Sequence, residues 1–224
     1  MACDPRPTDN AAFTLPIPDL TWERTVMARQ TRTFIALSVS EPQGEKLARL
    51  QGLIAPAVPG ALWTLTRPFH LTLAFLGDVA ETDLNPVCRA VAGAVLETAP
   101  FDLRLEGLGV FPNPERPRTL WVGLTGPGLE PLARLQKTVA MAAAAAGYPP
   151  DEKFTPHVTL GRLKTGRDPS PDVVPLLNHY RGWSAGSFHV AEVTTYASTL
   201  ASGGPEYAPL GTAPLRGRNP GPKP

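Results

Sequence analysis

Two short stretches, His70-Leu71-Thr72-Leu73 and His157-Val158-Thr159-Leu160, repeat one tetrad at a separation of 157 − 70 = 87 residues. The chain has only four histidines, and two of them open this same His-x-Thr-Leu pattern. Side chains two apart in a strand share a face, so each tetrad, if extended, turns His and Thr one way and its apolar residues the other. A fold built on this sequence must therefore bring two such strands, remote along the chain, to one site. A single His-x-Thr is commonly an ordinary strand alternation, whereas the second copy makes a shared site the better reading.

A chain of 224 residues is long enough to bury a sizeable core as one large domain or two joined lobes. Its formal net charge of +1 argues against a protein that coats long nucleic acid or lies on an anionic membrane, so any nucleic-acid contact should be local. The two cysteines, Cys3 and Cys88, form neither a disulfide framework nor a CxxC motif, and a reducing compartment is expected. No run approaches the roughly 18 apolar residues of a membrane span, and the N-terminus lacks the pattern of a signal peptide. The expectation is a soluble, cytoplasmic monomer.

Residues 1–30 mix prolines with polar residues and no sustained period, which predicts a flexible leader; Met27, just before the first structured segment, suggests an alternative start. A strand at 33–39 puts Ile35, Leu37 and Val39 on one face and Phe34, Ala36 and Ser38 on the other. Ser40 and Pro42 open a helix carrying Leu47, Leu50, Gln51 and Ile54, and a short strand at 62–65 precedes the first tetrad strand, 70–76. Thr82 and Asp83 start a second helix with Leu84, Val87, Cys88, Val91 and Val95 on one stripe. Residues 101–106 alternate cleanly and pair, through a proline-rich tip, with a strand at 119–124. A third helix carries Leu129, Leu132, Leu135, Val139 and Ala142 and closes at Gly147. After the second tetrad strand, 157–163, come a proline-rich loop at 168–175, a short helix around Leu176 and Leu177, one long β-prone segment at 187–199, a turn at 203–205 and a last strand at 207–210. Residues 211–224 look like a disordered tail, leaving 31–210 as the folded domain. This order predicts an α+β chain of mostly antiparallel sheet with helices outside, arranged as two similar lobes with one tetrad each.

Two imidazoles and two hydroxyls, with no carboxylate at ligand spacing, suit acid/base work better than metal binding. Near neutral pH one histidine can accept a proton while another, held charged by an anionic ligand, donates one. In-line displacement at phosphorus needs a base and an acid on opposite sides, and threonine hydroxyls can hold the non-bridging oxygens. His179 and His189 lack the following Thr-Leu and are read as structural.

The segments HLTLAFLG, HVTLGRLK, TFIALSV, FPNPERPRTLWVG and TTYASTLASGGPEYAPL together resemble the 2H phosphoesterase superfamily, specifically the LigT-like RNA 2′,3′-cyclic phosphodiesterases, over residues 32 to about 210. The resemblance implies a bilobal, pseudo-symmetric fold and an enzyme, without metal or other cofactor, that opens terminal 2′,3′-cyclic phosphates on RNA 3′ ends to 2′-phosphates. It also implies a reversible 2′,5′ RNA ligase activity in some members. By that resemblance His157 activates water, His70 protonates the departing 3′ oxygen, and Thr72 and Thr159 hold the phosphate. Arg162 and Phe34 are implied nucleotide contacts. Strict parity sends Arg162 to the wrong face unless Gly161 permits a bulge, and Phe34 is equally readable as a base-stacking platform or as a core residue. Arg116 and Arg118, in the proline-rich tip, are read as solvated surface charges. Rival readings are a phosphodiesterase for small cyclic nucleotides and a non-catalytic module that binds RNA ends.

Overall fold

A computed structural model describes residues 29–65, 67–150, 153–163, 172–201 and 204–218. The predicted leader, most of it at 1–28, part of the proline-rich loop and part of the turn at 203–205 lie outside the described residues. The elements run β1 (Gln30–Ser38), α1 (Glu41–Ile54), a 3₁₀ turn, β2 (Leu62–Trp63), β3 (His70–Ala80), α2 (Glu81–Val95), β4 (Phe101–Phe111), β5 (Thr119–Thr125), α3 (Leu129–Ala145), β6 (Val158–Arg162), α4 (Val174–His179), β7 (Ser184–Val190), β8 (Glu192–Ala201) and β9 (Gly204–Pro214).

The helices form where their apolar stripes predict. Leu47, Leu50 and Ile54 of α1, Val87 and Val91 of α2, and Leu132, Leu135 and Val139 of α3 are buried against strand residues Leu37, Leu71, Leu105, Leu120, Val158 and Leu160 in one core. Pro42 sits in the first turn of α1, and Gly147 ends α3 at φ +91°, a conformation that disfavours any other residue. Gln51, polar on the buried face of α1, gives its amide to the carbonyls of Thr64 (3.0 Å) and Leu160 (2.7 Å). Among the described residues no helix is long and apolar enough to cross a membrane.

The strands form a single antiparallel sheet in the order β7-β4-β5-β6-β3-β1-β8-β9, with β2 also paired to β6. The tetrad strands β3 and β6 are therefore hydrogen-bonded neighbours at its middle, with three strands beyond each, rather than opposite walls of a groove. That placement makes the two lobes: β3, β1, β8 and β9 on one side, β6, β5, β4 and β7 on the other. Only Ala191 separates β7 from β8, although they lie near opposite ends of the order, so the sheet must roll upon itself.

Several predicted boundaries move: β3 runs past 76 to Ala80, β4 past 106 to Phe111, and the last strand takes in Gly204 and Pro205 of the predicted turn; two further changes are larger. The β-prone segment 187–199 is two strands, because β7 pairs with β4 while β8 pairs with β1 and β9; a change of partner leaves no mark on local propensity. The disordered tail predicted from residue 211 is structured to 218: β9 continues to Pro214, Leu215 is buried, and the amides of Arg216 and Gly217 donate to the carbonyls of Leu96 and Thr98 at 3.0 Å each. Gly217 serves packing there, since a Cβ would lie 2.0 Å from the Glu97 carbonyl oxygen.

Candidate active site

Leu71 and Val158 are directly paired across β3 and β6, and both are fully buried. Continuing that antiparallel register by one residue each way sets His70 beside Thr159 and Thr72 beside His157. All four side chains leave the face opposite Leu71 and Val158, so they form a four-cornered cluster, histidines on one diagonal and threonines on the other. Each is half-buried. The sequence-predicted quartet is thus assembled by a single cross-strand pair.

Each imidazole is held by the carbonyl two residues before it. His157 Nδ1 lies 2.7 Å from the Thr155 oxygen, and His70 bonds to the backbone of Pro68. With Nδ1 of His157 donating to that carbonyl, its Nε2 is the nitrogen left for chemistry. Burial pushes the His70 pKa down to about 4, with the Pro68 bond opposing and the neighbouring His157 adding to the fall. Burial also lowers His157, against its bond to Thr155 and with help from the Arg162 guanidinium. Both rings are therefore neutral near pH 7 before any anion arrives.

The rings have different neighbours. Phe34, 3% exposed, lies 5.1 Å from His70 between centroids and stacks on Tyr196 at 5.3 Å, while Tyr207 meets His70 edge-on at 5.0 Å. Phe34 therefore forms the wall behind His70, and Tyr207 is the more accessible ring of that cluster. The Ser38 and Tyr196 hydroxyls, 2.8 Å apart, tie the wall to β1. On the other side His157 meets Phe111 edge-on at 4.9 Å and Trp121 at 6.2 Å. Trp121 lies across its cross-strand partner Gly109, where a Cβ would come 2.2 Å from the indole. Its Nε1 is buried without a hydrogen-bond partner among the described residues, so packing on glycine, not a hydrogen bond, sets the ring.

β-Bulges decide what flanks the quartet. Along β1 the partners pass from Ala74 to Thr72, skipping Leu73; along β5 they pass from Gly161 to Thr159, skipping Leu160. Each skipped residue is the leucine that closes its tetrad. The extra residue resets the parity, so positions five beyond each histidine, Phe75 and Arg162, return to the face of the quartet. Arg162, which strict alternation would have turned away, accordingly acts electrostatically on both His157 and Tyr207. Gly161 is required there, because a Cβ would lie 2.9 Å from Trp63 and 3.0 Å from the Leu62 carbonyl oxygen. Phe75, Trp121, Phe111 and Tyr207 were not candidates from sequence.

His179 packs on Tyr180 at 4.7 Å and His189 pairs with Asp102 at 2.8 Å. His189 lies on β7 at the end of the strand order and His179 closes α4, so neither stands on the strands that carry the quartet. Among the described residues no three His, Cys, Asp or Glu side chains cluster so as to hold a metal ion.

Residues 39–199 match the model of the 2′-5′ RNA ligase superfamily. A protein of Methanothermobacter thermautotrophicus named RNA 2′,3′-cyclic phosphodiesterase is 30% identical over 181 residues, covering 81% of this chain and 97% of its own. One of Aeropyrum pernix with the same name is 36% identical over 166 residues, covering 74% and 92%. The crystal structure of Escherichia coli LigT in apo form superposes with a TM-score of 0.66 at 26% identity, covering 84% of this chain and 98% of LigT. With its paired tetrads, rolled antiparallel sheet and these likenesses over most of its length, the chain belongs to the 2′-5′ RNA ligase superfamily, among the LigT-like 2H phosphoesterases.

Proposed function

We propose that this protein is an RNA 2′,3′-cyclic phosphodiesterase that opens a terminal cyclic phosphate to a 2′-phosphomonoester by two-histidine acid/base catalysis. The observation that carries the reading is the four-cornered cluster, which sets two imidazoles on one diagonal and two hydroxyls on the other around a space open to solvent. The relatives' shared name supplies the substrate class.

In-line attack requires entering and departing oxygens on opposite sides of phosphorus, which the histidine diagonal provides. A water oxygen bonds to phosphorus as its proton passes to His157. The bond from phosphorus to the 3′ oxygen breaks, and that oxygen takes a proton from His70. The product keeps its phosphate on the 2′ oxygen, solvent exchange returns His157 to neutral, and His70 takes up a proton again when the next anionic substrate binds. Thr72 and Thr159 donate to the non-bridging oxygens, where negative charge grows in the transition state. Arg162 adds a positive charge on the same face and favours the anionic substrate. Each proton transfer contributes about 10²–10⁴-fold. With an RNA 5′-hydroxyl in place of water the same step, with the same roles, would give a 2′,5′ linkage; run backwards, the 3′-hydroxyl attacks, the 5′ oxygen departs and the two histidines exchange roles. The reading also places the protein in the cytoplasm, where RNA ends arise.

The test is an oligonucleotide with a 2′,3′-cyclic phosphate terminus, incubated with protein in the presence of chelator. Conversion to a 2′-phosphate, lost in His70→Ala and in His157→Ala, is the expected result. A cyclic end that persists with wild type, or either variant at full rate, refutes it.

A further inference from the structure

The lobe of β3, β1, β8 and β9 carries a cation outside the quartet. Arg32 lies on β1 two residues before Phe34, and alternation puts both on the face of the quartet. Phe34 pairs with Tyr196 on β8; two residues onward the same register sets Arg32 beside Ser198, which pairs with Tyr207 on β9. Arg32, Ser198 and Tyr207 therefore form a row across the lobe, next to the row of Phe34 and Tyr196. Ser198 is too short to screen the longer side chains on either side of it. Tyr207 leans from this row toward the quartet, edge-on to His70 and to Phe34 at 5.0 Å each. Its phenol feels two guanidinium groups, Arg162 from the other lobe and Arg32 from its own. Arg32 is exposed and makes no ion pair among the described residues, although Asp78 faces it from β3.

We infer that Arg32 binds the phosphodiester on the 5′ side of the reacting nucleotide, a second phosphate site that favours an oligonucleotide end over a mononucleotide. The inference rests on the phosphodiesterase reading above. In that reaction the 3′ oxygen departs at His70, so the ribose that carries it stands on the His70 side, against the rings of the same lobe. The 5′ oxygen of that ribose bears the preceding phosphodiester, which must lie within one nucleotide of the quartet. Two cations flank the Tyr207 ring. Arg162 faces the reacting phosphate; Arg32, in register with Asp78 and so farther along β3 from the tetrad, is left for the next one. Lys153 does not meet this phosphodiester, because it lines a cavity that opens from Thr72 and His157, where the entering oxygen arrives. A guanidinium presents a planar fork of donors to phosphate oxygens, which a point charge does not. A backbone contact carries no base preference, so the site reads chain length, not sequence.

Three substrates isolate this site: adenosine 2′,3′-cyclic phosphate, the adenylyl dinucleotide with the same cyclic end, and that dinucleotide with a neutral methylphosphonate linkage. In wild type the KM of the charged dinucleotide should be about tenfold below that of the mononucleotide, an advantage that the methylphosphonate removes. Arg32→Gln should remove the same advantage and lose nothing more with the methylphosphonate. It should also reduce the log–log salt slope of the dinucleotide KM by about 0.7. Arg32→Lys should restore part of the advantage. Each comparison is made within one protein, so a loss of folded material cancels. An advantage that survives in Arg32→Gln overturns the site, as does one that the methylphosphonate leaves intact in wild type, or a wild type with no preference for the dinucleotide. If wild type hydrolyses none of the three, the phosphodiesterase reading fails, and the site is judged by binding of the dinucleotide ending in a 2′-phosphate against adenosine 2′-monophosphate. A preference for the dinucleotide that Arg32→Gln abolishes sustains the site; a preference that it keeps, or none in wild type, refutes it.

Discussion

In the proposed reaction the depressed pKa of His70 makes the acid step conditional on the substrate. With a value of about 4, His70 is protonated in roughly one molecule in a thousand at pH 7. To serve as a ready acid its pKa must rise by about three units, which is about 4 kcal/mol of differential interaction. A unit negative charge about 4 Å from the ring contributes about 4 kcal/mol at an effective dielectric of about 20, so one phosphate oxygen within the quartet suffices. Saturation with a dinucleoside monophosphate, whose single charge does not titrate in this range, should therefore move His70 from about 4 to near neutrality. By linkage the bound form takes up a proton, so affinity should rise about tenfold per pH unit as pH falls between the bound and free values, and flatten below about 4. His157 and Tyr207, the other titratable groups against this ring, accompany it in both states. Imidazole Cε1–H resonances followed by NMR, assigned with His70→Gln and His157→Gln, read the shift directly. A free-state His70 titrating near 6.5, or one that phosphate does not move, would sink the reasoning.

Further expectations follow from the same geometry. Because the folded chain holds His70 neutral while the unfolded chain protonates it at 6.5, the stability that His70 contributes should be complete above pH 6.5 and decline by about 3 kcal/mol as pH falls to 4; measured by urea unfolding, the decline should be smaller in His70→Gln, where only the lowered His157 still contributes in the same direction. Gly109→Ala drives a methyl group into the Trp121 indole, so it should cost about 1–3 kcal/mol and lower kcat through the displaced His157; an unchanged denaturation midpoint would contradict the packing described. Gln51→Leu removes the amide that binds the Leu160 and Thr64 carbonyls inside the fold; a loss of about 1–3 kcal/mol, accompanied by weaker phosphate affinity as the bulge before Arg162 relaxes, is expected from unfolding and titration measurements.

What the sequence made legible was whatever a residue's near neighbours decide. The helical stripes of Val87, Val91 and Val95, the split of Ile35, Leu37 and Val39 from Phe34 and Ala36, and the End-cap at Gly147 are local periodicities, and the structure reproduces them. The pairing of β3 with β6 was not legible, because the register of Leu71 with Val158 is decided by strands that lie 87 residues apart. The bulges were hidden for the same reason: Leu73 and Leu160 are extra residues only with respect to β1 and β5. Phe75 and Arg162 therefore carried the wrong apparent face, although both stood in the stretches that drew attention first.

The bulges also explain how nearly identical tetrads can serve a reaction that has a direction. Two strands, each carrying His, Thr and a skipped leucine, and related by an approximate twofold through the Leu71–Val158 pair, give equivalent corners to the attacking and departing oxygens. A substrate with a nucleoside on one side of phosphorus needs inequivalent surroundings. The inequivalence enters at the first position that returns to the face after each bulge, where one lobe presents the Phe75 ring and the other the Arg162 guanidinium. Catalytic symmetry and substrate polarity are thus separated by two residues on each strand. Exchanging the pair, Phe75→Arg with Arg162→Phe, should leave the quartet standing but move the positive charge from one lobe to the other, seen as an unchanged denaturation midpoint with a raised KM for adenosine 2′,3′-cyclic phosphate. An unchanged KM would mean that polarity is set elsewhere around the quartet.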